Sequence, residues 1–245
     1  HYIMTTTTGG AATVMGKLED FLQTEWPELK VYLTSVTDHF ATISVCGPHS
    51  KKILEKVTQS IDYSDSNFPH MSFKDGLIDK IKCRVMRISF TGELSYEINV
   101  QANYGQSVWG KCMSAGKEYG ITPYGTEAMH LLRAEKGFII VGQETDGTVT
   151  PVDLQMDWIV SKKKYDFIGK RSLYRSDTIR EDRKQYVGLL TKDPKEILEE
   201  GAQIVAEVKN KPPMDMIGHV TSSYYSPNLN KSIALAVVKN GKKLK

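Results

Sequence analysis

An α+β sandwich followed by a small all-β module, a barrel, is the fold class that this 245-residue sequence predicts. Three observations carry it. As far as Gly137, amphipathic helical stripes alternate with short runs of period two, the order expected when helices cover one face of an antiparallel sheet. Beyond Gln185 the short apolar runs continue, parted by turn residues, with a helix conceivable only at Glu196 to Glu200. Between these regions lies a charged stretch, Tyr174 to Lys184, where the boundary is expected.

The first helix is opened by Gly9-Gly10, repeats Val14, Leu18, Phe21, Leu22 and Trp26 at helical spacing, and is closed by Pro27. Strands are predicted at Val31 to Val36 and Phe40 to Val45, parted by Thr37-Asp-His39. Gly47-Pro48 leads into a short helix with Ile53, Leu54 and Val57 on one stripe, and Ser60 to Gly76 is rich enough in Ser, Asp, Asn and Pro to be loop. Strands follow at Cys83 to Phe90 and Tyr96 to Val100. A helix over Tyr104 to Tyr119 turns Val108, Trp109, Cys112 and Met113 inward, and another over Thr126 to Lys136 is ended by Gly137. The later strands are Tyr186 to Leu190, Gln203 to Val205, Ile217 to Tyr224 and Ile233 to Val238.

Hydrophobic residues form 40% and charged residues 25% of the chain, an ordinary balance for a globular protein, and a net charge of +3 is too small to argue for a nucleic-acid or membrane partner. No apolar run approaches membrane-helix length. Cys46, Cys83 and Cys112 are odd in number and far apart, which fits a reducing compartment such as the cytoplasm and suggests neither a zinc site nor disulfides. The start at His1, without a signal pattern, reads as a strand entered in the middle, as in a piece of a longer polypeptide.

The segment Phe90-Thr-Gly-Glu-Leu-Ser-Tyr-Glu-Ile-Asn-Val100 carries the strongest chemical signal. A tight turn precedes a strand whose alternation puts Tyr96, Ile98 and Val100 on one face and Glu97 with Asn99 on the other. A carboxylate fixed on a strand beside an aromatic turn suits a flat heteroaromatic ring with N–H donors along one edge; a solvent-facing Glu in a plain hairpin is the other reading of this segment alone. The six histidines have no metal-ligand spacing, and His130 is assigned a core or surface role. Gly169-Lys-Arg-Ser172 fails as a phosphate loop, because Lys164 stands where the leading Gly belongs and Arg171 where Ser or Thr should follow. Neither a serine-hydrolase elbow nor a dinucleotide fingerprint occurs. Between Lys162 and Lys184 nine basic residues stand against four acids, a local balance of +5, readable as a solvated linker or as a docking patch for an anionic tail.

Several segments together resemble one family: the opening motif; Tyr119-Gly-Ile-Thr-Pro-Tyr-Gly125; Leu132-Arg-Ala-Glu-Lys-Gly137; Gly142-Gln-Glu-Thr-Asp-Gly-Thr-Val-Thr-Pro151; Met156-Asp-Trp-Ile-Val160; Phe167-Ile-Gly-Lys170; and Gly218-His-Val-Thr-Ser222. The chain resembles the glycine-cleavage T-proteins (aminomethyltransferases). Within that family, Thr5-Thr-Thr-Thr-Gly9, Leu22-Gln-Thr-Glu-Trp-Pro27, Thr126-Glu-Ala-Met-His130 and Val160-Ser-Lys-Lys-Lys164 are most similar to the C-terminal part of the alpha subunits of heterotetrameric sarcosine oxidases. Stand-alone aminomethyltransferases carry Ala-Arg-Asp where this chain has Ala128-Met129-His130, so an arginine that the family uses near its folate is absent.

The resemblance implies a T-protein-like folate-binding fold. Residues 1–28 would be the remainder of a first lobe, 29–140 an α+β folate-binding lobe, 141–180 a return to the first lobe and linker, and 181–245 the C-terminal β-barrel. It implies tetrahydrofolate as cofactor, with Glu97 accepting two N–H donors of the pterin edge and with Phe90, Tyr96 and Trp158 as aromatic neighbours. Glu93, Arg133 and Asp146 are assigned to turns and inter-domain contacts. The implied activity captures the methyl-derived carbon of sarcosine as 5,10-methylenetetrahydrofolate, with flavin and NAD only in other parts of a hetero-oligomer with further sarcosine oxidase subunits. A stand-alone aminomethyltransferase and a folate-binding or assembly module without turnover are the alternatives. No catalytic residue is assigned: the family's proton-handling carboxylate lies upstream of the strand that Tyr2 to Thr8 would match. No metal ligand is assigned either.

Overall fold

The computed structural model describes residues 1–244, and the chain divides into two compact units. The first comprises residues 1–89 and 93–123; the second takes residues 90–92 and the chain from Tyr124 onward.

The first unit contains α1 (Ala11–Thr24), β1 (Phe40–Cys46), α2 (Ser50–Val57), β2 (Phe73–Ile78), β3 (Ile81–Met86), β4 (Ser95–Gln101) and α3 (Gly105–Gly116). Its four strands form an antiparallel sheet in the order β1-β4-β3-β2. The apolar half of each alternating strand is buried: Ile43 and Val45 on β1, Cys83 and Val85 on β3, and Tyr96, Ile98 and Val100 on β4. These side chains share a core with Ile53, Leu54 and Val57 of α2 and with Val108 and Cys112 of α3. The sandwich predicted from periodicity therefore forms, because α2 and α3 each offer one stripe to the one apolar face of the sheet, whereas α1 buries none of its residues.

The loop between α2 and β2 is held by its aromatic residues. Tyr63 meets the Tyr96 ring edge-on at 5.3 Å, and Phe68 packs on the same ring at 5.6 Å. Thr58 Oγ1 donates to the Leu54 carbonyl at 2.8 Å, so the buried Tyr63 hydroxyl, 2.9 Å away, donates to Thr58.

Five local expectations change. Val31 to Val36 forms no strand, since it lies along no neighbouring ladder and its residues are largely exposed. The expected loop Ser60 to Gly76 ends early, as β2 begins at Phe73, and β3 stops at Met86 rather than running on to Phe90. Trp109 stays 46% exposed on α3, because the sheet needs only the stripe carrying Val108 and Cys112. Residues 196–200 are irregular instead of helical.

The second unit pairs α4 (Thr126–Glu135) with a four-stranded antiparallel sheet of β5 (Lys184–Leu190), β6 (Gln203–Val205), β7 (Met216–Ser226) and β8 (Lys231–Lys239), in the order β5-β8-β7-β6. β8 is central and buried along both faces from Ser232 to Val238, which explains its unbroken apolar run. β7 carries an irregularity between Val220 and Ser222 that fits eleven residues against the shorter β8. At the end of α4, Gly137 adopts a left-handed φ of +69°, and its carbonyl accepts the Tyr186 hydroxyl at 2.9 Å.

Among the described residues no helix is long and apolar enough to cross a membrane, and no cluster of His, Cys, Asp and Glu could hold a metal ion.

Candidate functional site

The polar face of the first sheet is built by the same alternation that builds the core. On β4, Ser95, Glu97 and Asn99 point away from the helices. The β1–β4 register sets Ser44 opposite Glu97 and Thr42 opposite Asn99, while β3 sets Met86 opposite Glu97 and Arg84 opposite Asn99. Glu97 therefore stands mid-sheet, between a hydroxyl on one side and a thioether on the other.

Glu97 is half-buried, and its carboxylate has no hydrogen-bond or ion-pair partner among the described residues. Burial alone pushes its pKa above the ordinary carboxylate range. The nearby cation is committed elsewhere: Arg84 donates to both oxygens of Asp75, at 2.8 and 3.0 Å, and lies 4.6 Å over the Phe73 ring. A half-buried carboxylate with no donor among the described residues is costly to keep charged.

The other sequence-derived candidates are placed differently. Tyr96 is fully buried on the helix side of the sheet, so its ring supports the strand and does not share a face with Glu97. Phe90 and Trp158 belong to the second unit, where they are 41% and 75% exposed, with Trp158 in a single 3-10 turn, Asp157–Ile159. Gly92, two residues after Phe90, has φ +79° and packs so closely on the Lys136 stem that a side chain would collide with it. That turn must be glycine.

Arg133 and Asp146 are structural. Arg133 is completely buried and pairs with Glu144, Nη1 to Oε2 at 2.9 Å. Its Nη1 also donates to the Phe138 carbonyl at 3.0 Å, and Nη2 donates to Ser222 Oγ at 2.6 Å. The Ser222 hydroxyl in turn donates a hydrogen bond to Glu144 Oε1 at 2.5 Å, and Ile140 N–H donates to the same carboxylate at 2.7 Å. Asp146 accepts from the Thr148 backbone and hydroxyl, which hold its pKa below the usual carboxylate range. A second buried acid, Asp153, accepts from Thr150 and from Arg183 Nη2 at 2.9 Å, tying the segment before Trp158 to the start of β5.

An open polar depression of about 640 Å³ lies in the second unit, with His130, Glu127, Gln143, Glu200 and Tyr224 in its wall. Gln143 Nε2 donates to the Thr221 carbonyl at 3.1 Å and toward Glu200 at 3.4 Å, so part of this wall is already satisfied internally. Within the basic segment, Arg180 and Arg183 are paired with Asp182, Asp177 and Asp153. Lys162, Lys163, Lys164, Arg171 and Arg175 have no such partner among the described residues.

Sequence reasoning missed Thr42, Ser44 and Ser95 as companions of Glu97. The polar alternation Thr42, Ser44, Cys46 was visible, but the register that aligns it with β4 is a tertiary fact.

This arrangement, a helix-backed antiparallel sheet followed by a second β unit, is that of a T-protein. The GCVT N-terminal domain model matches residues 1–164, and the glycine cleavage T-protein C-terminal barrel domain model matches residues 184–244. The chain belongs to the glycine cleavage T-protein family.

Among its relatives, the sarcosine oxidase subunit alpha of Corynebacterium sp. (strain P-1) is 53% identical over 98% of this chain and 25% of its own length. That of Rhizobium meliloti (strain 1021) is 41% identical over 98% of this chain and 24% of its own length. An aminomethyltransferase of Clostridium botulinum (strain Loch Maree / Type A3) is 35% identical over 86% of this chain and 55% of its own length. The chain thus spans about a quarter of the sarcosine oxidase subunits it matches. The crystal structure of the glycine cleavage system aminomethyltransferase T from Bartonella henselae superposes with a TM-score of 0.76 at 20% identity, covering 97% of this chain and 60% of that one. That likeness establishes the fold.

Proposed function

We propose that this chain is the tetrahydrofolate-binding, one-carbon-transfer part of a sarcosine oxidase alpha subunit, capturing the methyl-derived carbon of sarcosine as 5,10-methylenetetrahydrofolate. The observation that carries the reading is Glu97: a half-buried carboxylate, unpartnered among the described residues, on the polar face of a T-protein sheet. A pterin's 2-amino-4-oxo edge presents two adjacent N–H donors, and a carboxylate is the side chain that accepts both. Phe90 and Trp158 are the aromatic residues that the family resemblance assigns to the folate.

Tetrahydrofolate, when bound, supplies the nitrogens that take up the carbon. The contribution of this chain is to hold and orient it: Glu97 fixes the ring's edge, and the apolar Met86 beside it limits water at the carboxylate. Glu97 recognises rather than catalyses, and none of the residues described above is assigned the proton transfer. In this reading residues 1–28 complete a first lobe, 29–140 form the folate-binding lobe, 141–180 return to the first lobe, and 181–245 form the barrel. Flavin and NAD belong to other parts of a cytoplasmic hetero-oligomer.

Calorimetric titration of the 245-residue chain with tetrahydrofolate tests the reading. Binding is expected, and Glu97→Gln should weaken it by about 1–3 kcal/mol through loss of a charge-assisted pair. Equal affinity in that variant would remove the pterin assignment.

A further inference from the structure

We propose that the open edge of β7, in the second unit, docks an extended segment of a partner polypeptide that carries lysine or arginine and adds to the sheet as a short strand. The inference goes beyond folate binding and does not depend on it, since every residue in it lies in the second unit, away from Glu97.

Register exposes the edge. β6 ends the sheet order β5-β8-β7-β6, yet it pairs only with Met216 to His219 of β7. At Val220 the main chain faces this outer side: its N–H donates to the Ala202 carbonyl and its carbonyl accepts from Gly201 N–H, each at 2.9 Å. Ala236, opposite Val220, is therefore turned away from β7, and the next residue, Leu235, is turned toward it. Leu235 pairs with Ser222, which makes Thr221 the extra residue of a bulge and leaves Ser223 facing outward. The Thr221 carbonyl also points outward, where it accepts Gln143 Nε2 at 3.1 Å. On that side the Ser223 N–H and carbonyl have no hydrogen-bond partner among the described residues.

The polar depression described above opens on this edge. Ser223 belongs to its wall, and because the Ser223 hydroxyl is shut off from solvent, its main chain is what meets the opening. Glu127 and Glu200 stand in the same wall, both exposed, and neither has an ion-pair partner among the described residues. No lysine or arginine lines the depression. Arg133 approaches the wall at Tyr224 but is completely buried and paired with Glu144. An unpaired strand edge recognises another extended main chain, and two uncompensated carboxylates select a cationic side chain on it. An acidic strand would meet like charge instead.

The test titrates the 245-residue chain, labelled with 15N, with an acetylated and amidated hexapeptide that alternates valine and lysine. Two control peptides carry glutamate for lysine, or an N-methyl group on every residue. The Ser223 amide resonance should shift saturably with the lysine peptide and stay in place with both controls. Glu127 and Glu200 are exposed, so the double variant Glu127→Gln/Glu200→Gln should keep the wild-type circular dichroism spectrum. Its Kd for the lysine peptide should rise about five- to tenfold, as for the loss of two exposed ion pairs. No Ser223 shift up to millimolar peptide, or an equal response to the N-methylated peptide, overturns strand docking. An unchanged Kd in the double variant overturns the basic partner. If lysine amide competes as well as the hexapeptide, the depression takes small amines, and the inference fails. None of these outcomes bears on Glu97, so the folate reading stands or falls separately.

Discussion

Arg133 and Glu144 face each other in an interior that excludes both from solvent, 2.9 Å apart, with Ser222 bridging the guanidinium to the carboxylate. The pair joins the end of α4 to the turn after Phe138 and to β7, and the burial of each charge depends on the other. Replacing Arg133 by Met alone, or Glu144 by Gln alone, should cost about 3–5 kcal/mol in urea unfolding. The double variant should lose less than the sum of the two singles.

Glu97 should make the protein less stable than it could be. Burial holds its folded-state pKa above the ordinary 4.5, so between those values the folded form binds more protons than the unfolded chain. Stability then falls as pH rises through that window and stays reduced above it. Thermal melting of Glu97→Gln at pH 7 should exceed wild type, with the advantage shrinking as pH falls toward 4.5. A variant that melts higher yet binds folate more weakly would separate the ligand role from a structural one.

The cysteines should differ in reactivity. Cys83 and Cys112 are buried, and desolvation pushes both thiols up to about 11, whereas Cys46 is partly exposed. At pH 8 an aromatic disulfide reagent should label one thiol per chain quickly and the other two only as the protein unfolds.

Ile98 is fully buried at the centre of the first core, between Ile43 on β1 and Val85 on β3. Truncation to Ala should cost about 2–5 kcal/mol, whereas Trp109→Ala, on the exposed side of α3, should change stability far less.

If the five basic side chains at 162, 163, 164, 171 and 175 hold an anionic folate tail, long-tailed folate should lose affinity with added salt more steeply than monoglutamyl folate. Equal salt slopes would mark the segment as a solvated linker.

Periodicity alone decided a good deal of this molecule. The alternation in Tyr96 to Val100 placed Glu97 on the face opposite the core, and the stripes of Ile53, Leu54 and Val57 and of Val108 and Cys112 marked the helices that cover that core. These are local properties, set by the geometry of one strand or one helix. The tertiary structure decided what no local pattern encodes: that Val31 to Val36 finds no strand partner, that Tyr63 and Phe68 pack on the Tyr96 ring, and that Ser44 and Thr42 of β1 come to lie opposite Glu97 and Asn99. The physical reason is register. Residues more than fifty positions apart share a sheet face because of where two strands pair, and the pairing is chosen by the whole core at once.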